Sequence, residues 1–143
     1  MIRTGEEYID SIRDGREVYI NGDRVPDVPS HPMFKPLVDI RAHIYDMQHD
    51  ASTCDIMTYV DNNESFSIGL KLPLTQEDWQ DKRNATDKIF DEIGGVVTRV
   101  GDETVGEMWS LFDGQDVLNE VDPRFSKNIK NHIDKVVKHD PFH

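Results

Sequence analysis

The chain has 143 residues, 36% hydrophobic and 31% charged, and its 16 Lys and Arg against 28 Asp and Glu give a formal net charge of −12. That size and composition suit one globular domain with its own core, and the acidic balance opposes a phosphate backbone, so nucleic acid is not an expected partner. A single cysteine, Cys54, excludes an internal disulfide framework and a CxxC metal knuckle and suits a reducing compartment, so the cytoplasm is the expected location.

The first residues are polar and acidic, and no run approaches about 18 apolar residues, so neither a signal peptide nor a membrane span is expected. Thr4 and Glu7 have the spacing of a capping box, which predicts a short helix running to Asp14, stopped by Gly15. VYINGDRV (18–25) places Asn21-Gly22 between two β-prone runs, a strong hairpin signal, and Pro26 and Pro29 close that ribbon. Pro32 and Pro36 suit a helix start. Leu37, Ile40, Ile44 and Met47 then recur at helical spacing, predicting a helix that ends near Asp50. A second hairpin is expected from the runs 56–60 and 66–72, the latter with apolar residues at 66, 68, 70 and 72, around the turn at 61–64.

Thr75 to Asp78 caps a long helix with Trp79, Ile89, Phe90 and Ile93 on its apolar side and Lys82, Arg83, Asp87 and Asp91 left mainly to solvent. Gly94-Gly95 stops it. Val105, Met108, Trp109 and Phe112 make the face of another helix, halted by Gly114. Asp122-Pro123 then reads as N-cap and first residue of a last helix carrying Phe125, Ile129, Ile133, Val136 and Val137. The layout is mainly α with two small β-hairpins.

The segment GGVVTRVGDETVG (94–106) is the richest in glycine. A phosphate loop would need a preceding strand and a GxGxxG or GxxxxGK[ST] spacing. A helix precedes Gly94 and both spacings fail. The segment instead reads as a helix stop, an extended connector over 96–101, and Asp102 as the next N-cap. Arg99 is left over, a guanidinium carried between two helices and suited to anchoring a carboxylate or phosphoryl group; acids beside it also make an ordinary surface pair.

None of the six histidines forms the i, i+4 pair with a neighbouring Glu that a helical zinc site needs, so no metal site is expected. His43 and His132 fall near apolar helix faces and read as core or boundary residues. No Ser or Cys sits in a nucleophile turn, and no catalytic residue is nominated.

The order of features resembles the start of the 4-hydroxyphenylacetate 3-monooxygenase and 4-hydroxybutyryl-CoA dehydratase flavoenzyme family. The carriers are Thr4-Gly5 with Tyr8 and Ser11, Gly15 to Tyr19 entering the hairpin, His31-Pro32 before the next helix, and Asp55 to Thr58 before the second ribbon. They cover about the first sixty residues closely, and the rest follows the same helical plan to Asp140-Pro141. The resemblance implies the N-terminal helical domain of the acyl-CoA dehydrogenase-like architecture, with residues 1–143 forming that single domain. The flavin-binding β-barrel and the C-terminal helical bundle of the family would lie outside it.

In the hydroxylase branch, reduced FAD delivered by a separate reductase is used with oxygen to place a hydroxyl beside a phenol's existing one. In the dehydratase branch, flavin and an iron–sulfur cluster remove water from a CoA thioester. The family brings its first domain to the substrate through the glycine segment. Hydroxylases show Gly-Arg-Ser-Pro-Asp there, whereas here Gly101 is followed by Asp102, so the substrate-binding arginine is replaced by an acid. Dehydratases place cluster-ligating cysteines nearby, where this chain has Val96, Val97 and Arg99. Arg99 and Asp102 are therefore the nominated substrate-contact residues.

The resemblance implies a domain of a two-component, FADH2-dependent aromatic monooxygenase, inactive by itself and not binding FAD tightly alone. Its partners would be the rest of the flavoenzyme polypeptide, a flavin reductase and a phenol, in a homo-oligomeric full-length enzyme. Two other readings stand beside it: a stand-alone binding or scaffold module derived from the domain, and a flavin-dependent dehydratase or isomerase of a CoA ester.

Overall fold

A computed structural model describes residues 2–96 and 102–141, with the backbone alone of Asp102. Among the described residues, seven helices and two antiparallel strand pairs follow one another, so the mainly helical expectation with two hairpins holds. Among the described residues, no helix is long and apolar enough to cross a membrane.

Helix α1 (Gly5–Ser11) opens with the expected capping box. The Thr4 hydroxyl accepts from the Glu7 N–H at 3.2 Å while the Glu7 carboxylate accepts from the Thr4 N–H at 2.8 Å, satisfying two of the first turn's orphan donors. The helix stops earlier than Asp14 because Ile12 closes it, and Arg13 then turns toward the next segment, pairing with Asp27 at 3.0 Å. Strands β1 (Tyr19–Ile20) and β2 (Asp23–Arg24) flank Asn21 and Gly22, both at positive φ, the backbone of a type I′ turn whose twist matches that of the strands.

Helix α2 (Lys35–Asp46) starts at the prolines as expected, after Pro32 and with Pro36 in its first turn, and is capped by Met47 rather than running to Asp50. It lies against α1 at Gly5, whose N–H donates to the Asp46 carboxylate at 2.7 Å. A Cβ on Gly5 would stand 2.6 Å from the Ala42 carbonyl oxygen, so only glycine permits this approach. Tyr8 stacks on Tyr45 with ring centroids 5.3 Å apart, and Val38 and Ala42 complete that cluster.

A short helix α3 (Cys54–Met57) leads into β3 (Thr58–Asp61), which pairs with β4 (Glu64–Ser67) around Asn62 and Asn63, again both at positive φ. The strand expected over 66–72 ends at Ser67, and Ile68–Leu70 form a 3-10 turn. Burial at 66, 68 and 70 alternates as expected, but the turn produces the alternation by sending Ile68 into one cluster and Leu70 into another. Ile68 packs with Ile44, Met47, Met57, Ala85 and Ile89, whereas Leu70 packs with Val105 and Met108.

Helix α4 (Gln76–Glu92) has the Thr75–Asp78 capping box and ends at Gly94 and Gly95, both at positive φ, with the Gly95 N–H bonded to the Phe90 carbonyl at 2.8 Å. That 6→1 bond is a Schellman closure. Of the connector expected over 96–101, Val96 is described and the remainder lies outside the described residues. Asp102 is the first residue of α5 (Asp102–Asp113).

Helix α5 buries Val105 and Met108 but leaves Trp109 and Phe112 partly exposed. After Gly114 comes α6 (Gln115–Val121), a helix not expected from the sequence, with no buried residue. Helix α7 (Arg124–His139) begins one residue after Pro123, and Ile133, Val136 and Val137 cover the α5 cluster. His43 and His132, expected near the core, are both exposed.

Candidate functional site

A cleft of about 360 Å³ opens between α2, the 3-10 turn, α4, α5 and the turn at Asp140-Pro141. Its floor is apolar, from Ile44, Met57, Ile68, Leu70, Ala85, Ile89 and Val105, and both tryptophans of the chain, Trp79 and Trp109, line it. They are more than a third exposed. Polar groups are few: Lys82, Gln48, Thr86, Ser67, Asp140 and the Arg83–Asp87 pair. A predominantly apolar concavity with a small number of convergent polar groups is the usual form of a small-molecule site.

Lys82 corrects the sequence reading most directly. It is not left to solvent. Its ammonium donates to the Ile68 and Gly69 carbonyls at 2.9 and 2.7 Å, capping the turn that joins the two clusters. Helical phase carried the signal, because Lys82 stands three residues before the buried Ala85 and seven before the buried Ile89.

Burial pulls the Lys82 pKa down to about 8, with Lys71 adding to the effect and Asp78 opposing it. The folded pKa is below that of unfolded lysine, so between about pH 8 and 10 the unfolded chain binds more protons and stability rises with pH. A neutral amine keeps two N–H groups, enough for the two carbonyls. Wild-type protein should gain on the order of 1–2 kcal/mol more stability than Lys82→Met between about pH 7 and 9.5. Urea titrations of both proteins at the two pH values measure this, and parallel changes would refute it. Above about pH 10 the sign reverses, because burial raises Tyr59 to about 12 and the folded chain then binds more protons.

At the other end of the cleft the Asp140 carboxylate, only 4% exposed, accepts from the Arg3 N–H and from Gln48 Nε2, both at 3.2 Å. The Tyr45 hydroxyl donates to the Asp140 carbonyl at 2.7 Å. Burial pushes the Asp140 carboxyl upward against the opposing pull of these donors, and pushes the Tyr45 hydroxyl upward as well. Gln48 Oε1 is buried with no hydrogen-bond partner, leaving one acceptor at the cleft for a ligand hydroxyl or amine. Neither Gln48 nor Asp140 carried a sequence signal, since each acquires its role only through contacts more than ninety residues distant.

Of the two nominated contact residues, Arg99 lies outside the described residues, and Asp102 is placed only through its backbone at the head of α5, one turn before the cleft-lining Val105 and Gly106. Cys54, at the start of α3, is not among the residues lining the cleft.

Fold and site together define a mainly helical domain of the acyl-CoA dehydrogenase-like architecture, presenting a small apolar cleft. The family described as 4-hydroxyphenylacetate 3-hydroxylase N terminal matches residues 4–143, and the chain belongs to it. It is similar to the 4-hydroxyphenylacetate 3-monooxygenase oxygenase component of Geobacillus sp. (strain PA-9), with 29% identity over 96% of this chain and 28% of the relative. It also resembles the 2,4,6-trichlorophenol monooxygenase of Cupriavidus pinatubonensis, 36% identical over 67% of this chain and 19% of that one.

Among solved structures, the HpaB oxygenase component complexed with FAD and 4-hydroxyphenylacetate superposes with a TM-score of 0.81 at 26% identity, over 96% of this chain and 28% of that one. An archaeal 4-hydroxybutyryl-CoA dehydratase from N. maritimus shares the fold at 21% identity and the same TM-score, over 98% of this chain and 28% of its own. The chain thus spans about 28% of the length of the first relatives it matches.

Proposed function

We propose that this chain is the substrate-side helical domain of a two-component, FADH2-dependent phenol hydroxylase, and that residues 1–143 act as one domain of a longer cytoplasmic, homo-oligomeric flavoenzyme. The observation that carries the reading is the cleft, which belongs to a domain matched along nearly its whole length to oxygenase components. A volume of about 360 Å³ is near the lower end for ligand pockets, which run from about 300 to 1,000 Å³. It suits one or two rings, not a dinucleotide.

Two hydrogens of Lys82 are engaged by backbone carbonyls and Arg83 faces Asp87 at 3.7 Å, so the described cleft offers no cation with its full donor set to a pyrophosphate. These residues therefore do not fit a whole flavin, which in this reading is held by other parts of the polypeptide and reduced by a separate reductase. This chain's part is to surround the phenol ring with apolar side chains that exclude water, to offer Gln48 Oε1 to a hydroxyl donor, and to bring Arg99 and Asp102 to the substrate. Alone it is inactive.

The intact mass of the native polypeptide, captured from its source cells by antibody against this domain, tests the reading. A species several times the 16.5 kDa of this chain that makes catechols from phenols with reductase, FAD and oxygen is the expected result. A native species of 16.5 kDa would end it and favour a stand-alone binding module.

A further inference from the structure

Gly106 sits inside α5, where glycine weakens a helix because it adds freedom to the unfolded chain and packs nothing. Neither usual structural reason for it holds. Among the described residues a Cβ built there meets nothing within 4 Å, and its φ is not in the left-handed region. What sets Gly106 apart is its place: it lines the cleft with Val105 and Trp109, and it also borders the shallow groove on the outer side of α5 beside Glu103 and Glu107. Gly106 lines both concavities and places no side chain between them.

On the reading of the cleft as a phenol site, we propose that Gly106 is its size gate. The missing side chain lets a phenol carrying a second ring, or an uncharged substituent of similar bulk, seat its phenolic ring in the cleft and pass its extension over α5. The extension ends beside the Glu107 carboxylate, which repels an anionic substituent. A residue with a long side chain at 106 would start from the cleft wall and fill that exit, leaving room for a single ring.

Occupancy can be read without turnover, because both tryptophans of the chain line the cleft. The 143-residue chain, as wild type, Gly106→Ala and Gly106→Leu, would be titrated with phenol and with 4-phenylphenol while Trp emission is followed. Wild type and Gly106→Ala should bind both. Gly106→Leu should keep phenol within about threefold and weaken 4-phenylphenol by about tenfold or more. Helicity by circular dichroism should be retained, since alanine and leucine are better helix formers than glycine. Should the leucine variant not fold, Gly106→Met makes the same demand with a more adaptable side chain.

A folded Leu or Met variant that binds both ligands as wild type does would remove the gate and leave the phenol reading standing. Equal loss of both ligands would also remove it, since nothing would then depend on size. Absence of any response to either phenol in wild type would remove the phenol reading itself, and the gate with it.

Discussion

Met108→Ala should lower unfolding stability by about 2–5 kcal/mol, the range for truncating a buried methionine in a packed core. Met108 is fully buried, 0% exposed. With Val105 and Leu70 it forms the cluster to which α5 is fixed, covered by Leu72 and by Ile133, Val136 and Val137. Besides Val105 and Met108, no described residue of α5 is buried, so the helix is held by two side chains one turn apart. The cavity left by truncation would therefore loosen the helix wall that carries Gly106 and Trp109. The expected signature is a lower urea midpoint together with loss of phenol-induced Trp quenching, while Met108→Leu, which nearly conserves volume, stays within about 1.5 kcal/mol of wild type. A Met108→Ala protein as stable as wild type would mean that α5 is held elsewhere.

Asp140→Ala should cost about 2–4 kcal/mol. The substitution removes the partner of the buried Gln48 Nε2, whose Oε1 already lacks one, and leaving such a group unpaired costs about 1–3 kcal/mol. It also removes the acceptor of the Arg3 N–H. Alanine would have to hold φ 44 and ψ 55, a left-handed conformation that costs an ordinary residue about 1–2 kcal/mol.

Asp140→Asn separates these contributions. Asparagine tolerates the conformation, can turn its carbonyl oxygen to both donors, and carries no buried charge. It should be within about 1 kcal/mol of wild type near neutral pH. Because burial raises the folded pKa of Asp140, its favourable contribution is full below the unfolded carboxyl pKa and is lost as pH rises through the folded one. Asp140→Asn should therefore lose less stability than wild type as pH is raised from about 4 to 7. Thermal melts of the three proteins across that range measure both effects; equal pH dependence in wild type and Asp140→Asn would show that the carboxyl titrates normally.

What the sequence revealed was what the chain settles over a few residues. The two capping boxes, the Asn21-Gly22 and Asn62-Asn63 turns and the Gly94-Gly95 stop each depend on side chains and φ preferences within about five positions. The family could be read from the order of those signals. Lys82, Gln48 and Asp140 could not be assigned in the same way, because each finds its partners on another element. A lysine in phase with an apolar stripe reads equally well as a boundary residue extending to water.

The 3-10 turn at 68–70 stands where the pattern predicts a strand, because period-two burial marks either a strand or a tight turn packed on both sides. Helix α6 was missed because Val117 and Val121 remain 69% and 80% exposed, so no buried stripe marks it. For the nominated pair Arg99 and Asp102, the sequence supplied the identity and the resemblance supplied the role.

The hydrogen bond from the Arg3 N–H to Asp140 joins residues 137 positions apart, and His49 reinforces it by bonding the Arg3 carbonyl at 3.0 Å. Residues 3 and 140 are therefore neighbours in space, and the path between them is close to a ring. In such a topology the position of a break matters less than the contacts: a short linker can join residue 3 to residue 140 and the backbone can be opened at the exposed tip of the β3–β4 ribbon, between Asn62 and Asn63, as compact domains allow at exposed loop tips. The reordered polypeptide would retain the cleft while presenting its new ends on the β3–β4 strand pair.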